Sequence, residues 1–545
     1  MMKKARFFLA LLSAAALTAG SLSGCGAMTD TGVPADAEDS GSCEAPASDD
    51  GADLYTSEAG AVMEEEGMLL EEHNTEEYSA VTDNRFLSVK NHPLSTFAAD
   101  VDTASYANMR RYVNSGELPP ADAIRIEELV NYFHYDYPLP EEDRPFSCST
   151  EVVPCPWNED TLLMRIGVAA EPIPAEELPP QNLVFLIDVS GSMDGPDRLD
   201  LVKRAFLLFC EQLKEGDTVS IVTYASSDQI VLEGAGANER DMIMYAVEAL
   251  FAGGSTNGSA GIETAYELAE KYRTPEGNNR IILATDGDLN LGITSEGDLK
   301  RLVEEKRDTG IFLSVMGFGS GNLKDNKLET LADNGNGNYT YIDSIVQARK
   351  ALVEEMGATL HTVAKDVKLQ VEFNPRTLKG YRLIGYENRL MAAEDFADDT
   401  KDGGELGAGH QVTALYELVP LDSPMEMDEA DLRYQEEPDV SDSEDFCTVS
   451  IRYKEPSGSE STQFDVPVTG QVSESPSPST FLASLVAQTG MLLRDSPYSG
   501  TSDYDGILEQ LEQLDEEIKS PYTDELEDLV RRMKHLKRMG SNPEY

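Results

Sequence analysis

The sequence predicts an α/β protein. A mostly parallel six-stranded sheet lies between helices and is followed by an antiparallel β-sandwich-like module and a helical carboxyl-terminal region. Three patterns support this fold class. Short apolar runs alternate with amphipathic segments over residues 180–358, which is typical of a parallel α/β sheet. Residues 359–478 alternate in polarity between turns, and residues 479–545 show helical periodicity.

The central segment divides into strands of apolar residues and helices with one apolar face. The predicted strands are residues 183–187, 218–225, 229–232, 280–285, 311–318 and 338–342. The predicted helices are residues 199–214, 239–251, 259–271, 296–308, 325–333 and 344–355. Because strands and helices alternate, we expect helices on both faces of the sheet. Cys210 lies in an apolar stretch and is expected in the core.

Oxygen-bearing side chains follow two of these strands and a Gly-Gly-Ser turn. They are Asp188, Ser190, Ser192, Thr256 and Asp286. Open α/β sheets bind ligands at the carboxyl ends of their strands, so we expect these side chains to meet at one edge. A small hard cation such as Mg²⁺ takes about six oxygen ligands at roughly 2.0 to 2.1 Å. The sequence therefore predicts a site for Mg²⁺, with Mn²⁺ or Ca²⁺ as alternatives.

The pattern DxSxS, then a Thr after Gly-Gly-Ser, then a strand ending in TDG resembles the metal-ion-dependent adhesion site (MIDAS) of a von Willebrand factor type A domain. The resemblance covers about residues 180–356 and implies a Rossmann-like fold. It implies that Ser190, Ser192 and Thr256 touch the metal directly or nearly so. Asp188 and Asp286 would act directly or through water. One coordination position would stay open for a carboxylate from a partner protein.

Two other functions remain as alternatives to metal-mediated protein binding. One is a metal-dependent hydrolase, because a hydrated Mg²⁺ can activate water. All six histidines lie outside the predicted metal loops, at positions 73, 92, 134, 361, 410 and 535, so no general base is evident and we predict that the protein is not an enzyme. The other is a structural envelope protein in which the metal only stabilises the fold.

The amino terminus predicts a bacterial lipoprotein signal peptide over residues 1–24. Three basic residues precede the apolar run 7–19, and Leu22-Ser23-Gly24-Cys25 resembles a lipobox. We expect lipidation of Cys25 and an extracytoplasmic protein anchored by lipid to the bacterial cell membrane or envelope. An uncleaved signal anchor is the alternative.

Residues 25–77 are expected to form an acidic, disordered tether. Between Gly26 and Glu77 the sequence has 16 acidic residues and no Lys or Arg, so it lacks the apolar surface that folding requires. The whole chain has a formal charge of −57. This excludes nucleic acid as a partner, since binding it depends on cationic side chains.

Residues 78–179 form a flanking region before the central segment. Residues 91–138 and 481–539 resemble the two flanking regions of a bacterial lipoprotein family that carries a type A domain. Helices are predicted at 103–115 and 123–133.

Two acidic residues precede the first of these helices. Asp100 and Asp102 suggest a second metal site, but the sequence favours Asp102 and Thr103 as caps of the helix that follows.

The β-sandwich-like module has strands predicted at 364–373, 381–386, 411–418, 448–453 and 463–468. An acidic insertion interrupts it at 425–445. Strands at 147–153 and 162–168 precede the central segment and are expected to join the same sheets.

The carboxyl-terminal region has amphipathic helices predicted at 507–518 and 524–538. The second carries a basic cluster, expected to be a solvated face or a contact with acidic surface elsewhere.

The remaining cysteines are sparse. Cys148 and Cys155 could form a disulfide only if a turn intervened, because a continuous strand would hold their Cα atoms roughly 23 Å apart.

Overall fold

The computed structural model describes most of the chain after the tether. It covers Glu76 and residues 78–99, 102–141, 144–174, 177–254, 261–275, 277–287, 296–321, 324–355, 361–401, 403–428, 442–456, 458 and 460–540. The signal peptide, Cys25, nearly all of the tether, Asp100 and Thr256 lie outside the described residues.

The strands are short, and most carry buried apolar residues. They are β1 Leu87–Ser88, β2 Leu94–Ala98, β3 Phe146–Pro154, β4 Leu162–Ala170, β5 Gln181–Asp188, β6 Thr218–Tyr224, β7 Asp228–Gly236, β8 Asn278–Thr285, β9 Phe312–Phe318, β10 Tyr339–Ile342, β11 Thr362–Phe373, β12 Leu378–Ile384, β13 Leu390–Met391, β14 Gly404–Gly407, β15 Gln411–Pro420, β16 Cys447–Lys454 and β17 Ser461–Val468.

The helices pack against these sheets or against one another. They are α1 Ala104–Ser115, α2 Ile126–Asn131, α3 Leu199–Cys210, α4 Arg240–Glu248, α5 Gly261–Lys271, α6 Glu296–Asp308, α7 Asp325–Asn334, α8 Ile345–Arg349, α9 Pro478–Leu493, α10 Tyr504–Leu511 and α11 Pro521–Gly540. The predicted helix at 344–355 is α8 followed by a π-helical segment, Lys350–Glu354.

The central sheet has the strand order β10-β9-β8-β5-β6-β7. Its strands are parallel except for β7, which pairs antiparallel with β6. Helices α3, α4 and α8 cover one face, with Cys210 in that core. Helices α5, α6 and α7 cover the other face. The predicted six-stranded, mostly parallel sheet is therefore confirmed.

Helix α1 belongs to the amino-terminal flank, yet it packs on the central sheet. Ala104 and Ala107 share a core with Tyr339 and Tyr341 of β10. Three residues after Ala107, the buried Arg110 forms a bidentate ion pair with Asp343, its Nε and Nη2 donating over 2.7 and 2.5 Å. The flank and the central domain thus form one packed unit.

Two antiparallel sheets form the β-sandwich. One has the order β1-β12-β15-β4-β3, and the other has the order β13-β2-β11-β16-β17 with β14 on β11. The predicted joining of β3 and β4 to the later strands is confirmed. The chain leaves the sandwich after β4 and returns at β11, so the central domain is an insertion in this sandwich.

The carboxyl-terminal helices complete a separate helical core. Apolar residues of α9, α10 and α11 pack there with α1, α2 and the buried Trp157. Among the helices of the described residues, none has the length and apolar character needed to cross a bilayer.

The predicted capping of α1 by Asp102 and Thr103 is wrong. Thr103 makes no side-chain cap hydrogen bond. Asp102 instead accepts from the backbone N–H of Tyr339 over 3.1 Å and pairs with Arg389 over 3.2 Å. The buried N–H of Ser105, in the first turn of the helix, donates to Glu128 Oε2 over 2.7 Å. A carboxylate from α2 therefore caps α1, which local sequence could not indicate.

Cys148 and Cys155 are both free thiols. Strand β3 runs from Phe146 to Pro154 without a turn, so the two residues stay too far apart to form a disulfide.

Candidate metal centre at the edge of the central sheet

Two neighbouring strands bring the predicted aspartates to one edge of the sheet. Strands β5 and β8 run in parallel, with Ile187 opposite Ala284. Asp188 and Asp286 therefore emerge at the same carboxyl-terminal edge. Both side chains are almost fully buried, with 0% and 2% of their residue surface exposed.

The loop after β5 gathers oxygen atoms around Asp188. The carboxylate accepts through Oδ1 from the backbone N–H of Ser190 over 2.8 Å. The Oγ atoms of Ser190 and Ser192 lie 2.9 Å apart. Thr285 donates its hydroxyl to Asp188 Oδ2 over 3.4 Å. Two serine hydroxyls and a carboxylate thus converge in this loop.

The segment leading to Thr256 is fastened to this loop through its backbone. Gly253 donates its N–H to the carbonyl of Val189 over 2.8 Å, and Gly191 donates to the carbonyl of Gly254 over 3.1 Å. Gly254 has a φ of +88°, and a Cβ there would lie 2.7 Å from Ser226 Oγ. The role of Thr256 remains a prediction, but the residue follows this contact by two positions.

The electrostatics of the edge are unfavourable for two carboxylates alone. Burial raises the pKa of Asp188 to about 6; the hydrogen bonds from Ser190 oppose this shift, and the charge of Asp286 adds to it. Tyr224 is buried against the same carboxylates, and burial followed by the charge of Asp188 raises its phenol pKa.

These donors fit a hard divalent cation. Hydroxyl and carboxylate oxygens are the ligands that Mg²⁺ and Ca²⁺ prefer, and a cation would compensate the two buried charges. The described part of the chain holds no group of three or more His, Cys, Asp or Glu side chains arranged as a metal site. The candidate site is instead rich in hydroxyls.

Arg198 supports the loop after β5, which carries Ser190 and Ser192 and is called the metal loop below. Arg198 was not among the predicted site residues. Its guanidinium donates to the carbonyl of Ser192 over 2.9 Å and to the carbonyl of Ser320 over 2.8 Å. A Cβ at Gly319 would lie 2.6 Å from Arg198 Cγ, so the loop after β9 must pass close to this side chain. The contact with Ser320 joins residues far apart in sequence, so it left no local signal.

Glu76, at the start of the described chain, contacts the same loop after β9. Its carboxylate accepts from the N–H of Gly321 over 2.7 Å, from the Tyr112 hydroxyl over 2.6 Å and from Arg111 over 2.9 Å. The end of the tether is therefore fixed one loop away from Ser192.

Comparisons with protein families match three consecutive parts of the chain. The profile described as von Willebrand factor matches residues 72–165, and that of the von Willebrand factor type A domain matches residues 182–355. The profile of the carboxyl-terminal region of uncharacterized protein YfbK matches residues 358–536. YfbK of Escherichia coli K12 is 40% identical over 466 residues, which span 84% of this chain and 80% of YfbK. The chain belongs to the YfbK family. The predicted type A domain and its flanking regions are thereby confirmed.

Other relatives match shorter parts of the chain. Protein sll0103 of Synechocystis is 30% identical over 188 residues, 34% of this chain and 43% of that protein. Inter-alpha-trypsin inhibitor heavy chain H1 of Sus scrofa is 29% identical over 199 residues, 35% of this chain and 22% of that protein. Among solved structures, a von Willebrand factor type A protein from Catenulispora acidiphila has a TM-score of 0.37 at 16% identity, covering 65% of this chain and 82% of that one.

Membership in the type A family gives a general function for the central domain. Type A domains mediate protein–protein interactions and commonly bind a divalent metal at this edge.

Proposed function

We propose that this protein binds a protein partner through a divalent metal ion, with Mg²⁺ as the first candidate. Asp188, Ser190, Ser192, Thr256 and Asp286 would hold the ion, and the partner would donate a carboxylate. A lipid on Cys25 would anchor the protein outside the cytoplasm, at the bacterial cell membrane or envelope. We propose no catalytic role for the site.

One observation carries this proposal: Asp188 and Asp286 are both buried at the ends of neighbouring strands, and the charge of Asp286 adds to the effect of burial in raising the pKa of Asp188. Burying a carboxylate without a compensating cation is costly. A metal ion supplies the missing positive charge and uses the hydroxyls of Ser190 and Ser192 that already point together.

The position of the loop supports an accessible metal. Ser192 is half-buried and Gly191 is exposed, so an incoming ligand can reach the ion from solvent. The chain's net charge of −57 opposes an acidic partner at long range. Screening beyond about 8 Å leaves the metal dominant at contact.

An exposed aromatic side chain lies next to the site. Phe251 is 80% exposed and precedes by two residues the Gly253 amide that bonds the metal loop. Exposed aromatic residues are frequent binding hot spots. Phe251 therefore supports a protein partner rather than a small soluble substrate.

The first experiment measures Mg²⁺ binding by calorimetry and partner capture from envelope extracts, with Mg²⁺ or with EDTA. Ser190→Ala should weaken both. Ser450→Ala is the matched control because its hydroxyl bonds Asp465 in the sandwich, and it should change neither. Capture that survives EDTA while Mg²⁺ still raises the melting temperature would assign the metal a structural role. Metal-dependent turnover of phosphate esters or peptides would favour the hydrolase.

A further inference from the structure

A second candidate site lies far from the metal loop in sequence, between the end of α1 and the second half of α11. Here the two helices border a groove of about 650 Å³. Arg531, Arg532, Lys534 and Arg538 line it, together with the apolar side chains of Val113 and Leu536. We call this feature the basic groove.

The basic groove is positively charged, whereas the protein as a whole is strongly negative. The chain has 100 acidic residues against 43 Lys and Arg, yet each charged residue that lines the groove within the described structure is basic. Arg531, Lys534 and Arg538 are spaced i, i+3 and i+7, which places them on one face of α11.

The helix dipole accounts for only part of this cluster. Cations in the last turn of a helix are stabilised by the dipole, and the effect falls off within that turn. It applies to Lys537 and Arg538. Arg531 and Lys534 lie farther from the helix end, so the dipole does not explain why these two positions carry cations.

The cations keep their charges available to a ligand. Arg531 pairs with Glu527, and Lys534 and Arg538 both pair with Asp505. The side chains of Arg531 and Arg538 are more than half exposed. Exposed ion pairs contribute little to stability, so an anion that binds several of these cations can replace their acidic partners.

We propose that the basic groove binds an organic phosphate. Its phosphoryl oxygens would contact Arg531, Lys534 and Arg538, since guanidinium groups match phosphate geometry. Several cations in one groove require a ligand with more than one negative charge. The volume exceeds that of a single ion, and the partly buried Leu536 offers an apolar surface to the carbon part of the ligand.

The test uses the full chain with Cys25→Ser, so that no lipid contributes, and fructose 1,6-bisphosphate as a soluble probe. Calorimetry at fixed ionic strength should give saturable binding of one probe per chain. Arg531→Ala with Arg538→Ala should weaken it at least tenfold. The control, Lys300→Ala with Arg301→Ala, removes the same charge from the exposed face of α6 and should change affinity less than twofold. Non-saturable binding, or equal weakening in both variants, would overturn the proposal.

A second arm identifies the source of the phosphate. If the protein sediments with phosphatidylglycerol vesicles but not with phosphatidylcholine vesicles, and the Arg531/Arg538 variant does not sediment, the phosphate belongs to a lipid headgroup. Binding of the soluble probe without sedimentation assigns it to a free phosphate ester. If the protein neither sediments with vesicles nor binds the soluble probe, the proposed phosphate site is refuted. The metal loop is intact in every variant, so failure here leaves the proposed metal-dependent function untouched.

Discussion

Gly191 donates its backbone N–H to the carbonyl oxygen of Gly254 over 3.1 Å. This bond joins the loop after β5 to the segment that precedes Thr256. Backbone contacts therefore hold Gly254, two residues before one predicted ligand, against the loop that carries Ser190 and Ser192. A site preorganised in this way loses affinity when its supporting backbone shifts.

Gly254→Ala should impair metal binding. Gly254 has a φ of +88°, and the added Cβ would lie 2.7 Å from Ser226 Oγ, so the segment must move. We expect at least tenfold weaker Mg²⁺ binding by calorimetry and a loss of about 1 to 2 kcal/mol in unfolding free energy. Gly253→Ala is the control, because its Cβ would meet no atom within 4 Å. Equal effects of the two variants would contradict the explanation.

Asp286→Asn should change stability in opposite directions with and without metal. In EDTA the variant should melt at a higher temperature than the wild type, because the substitution removes repulsion from the buried Asp188. In saturating Mg²⁺ it should melt at a lower temperature, since a ligand is lost. Differential scanning calorimetry under both conditions checks this crossover. The control is Asp308→Asn, which alters an exposed ion pair and should leave the melting temperature unchanged under both conditions. A wild-type melting temperature that does not respond to Mg²⁺ would refute the prediction.

Arg110→Met should destabilise the whole folded body. The Arg110 guanidinium also contacts Tyr132, Gln347 and Glu525, so its loss leaves Asp343 buried and unpaired. Breaking such a pair lowers the free energy of unfolding by about 3 to 5 kcal/mol. Urea unfolding of the variant measures this loss. Adding Asp343→Leu should recover part of the loss, because the unpaired charge is removed as well. A double variant no more stable than Arg110→Met would argue against this pairing.

Glu127→Gln should stabilise the protein at alkaline pH. Burial, and then the charges of Glu387 and Glu128, raise the pKa of Glu127 from 4.5 to about 7. A raised folded-state pKa means that stability is lost as pH rises from about 4.5 to 7 and stays lost above it. The variant should therefore gain up to about 3 kcal/mol at pH 8 and little near pH 4.5. Urea unfolding at pH 8 and pH 4.5 tests this. The control, Glu117→Gln, changes an exposed residue and should not raise the free energy of unfolding at either pH.

The cysteines of the described structure should react slowly in the native state. Burial raises the pKa of Cys148 and Cys155 to about 12 and that of Cys210 to about 11, and thiolate is the reactive form. Iodoacetamide at pH 8 should modify these residues only after unfolding, as measured by mass spectrometry of peptides. A Cys148–Cys155 disulfide in that experiment would show that β3 is not continuous.

The meeting of Asp188 and Asp286 at one edge of the sheet could be predicted because its signals are local. Asp188 and Asp286 each end a run of buried apolar residues, and strand ends of a parallel sheet meet at one edge. The surroundings of Asp102 could not be predicted in the same way. Its partners Tyr339 and Arg389 lie more than 200 residues away, and alternating polarity identifies the buried face of a strand without identifying its neighbour.

The inserted position of the central domain has a consequence for biosynthesis. Ile166 of β4 pairs with Ala414 of β15, so the sandwich cannot close until about 250 further residues have been made. An exported chain emerges from its translocation pore amino terminus first, so the contiguous central domain can fold before β15 appears. Strands β3 and β4 meanwhile form a hairpin with an open edge, a form prone to aggregation. This chain is therefore expected to depend on holdase chaperones until β15 has emerged.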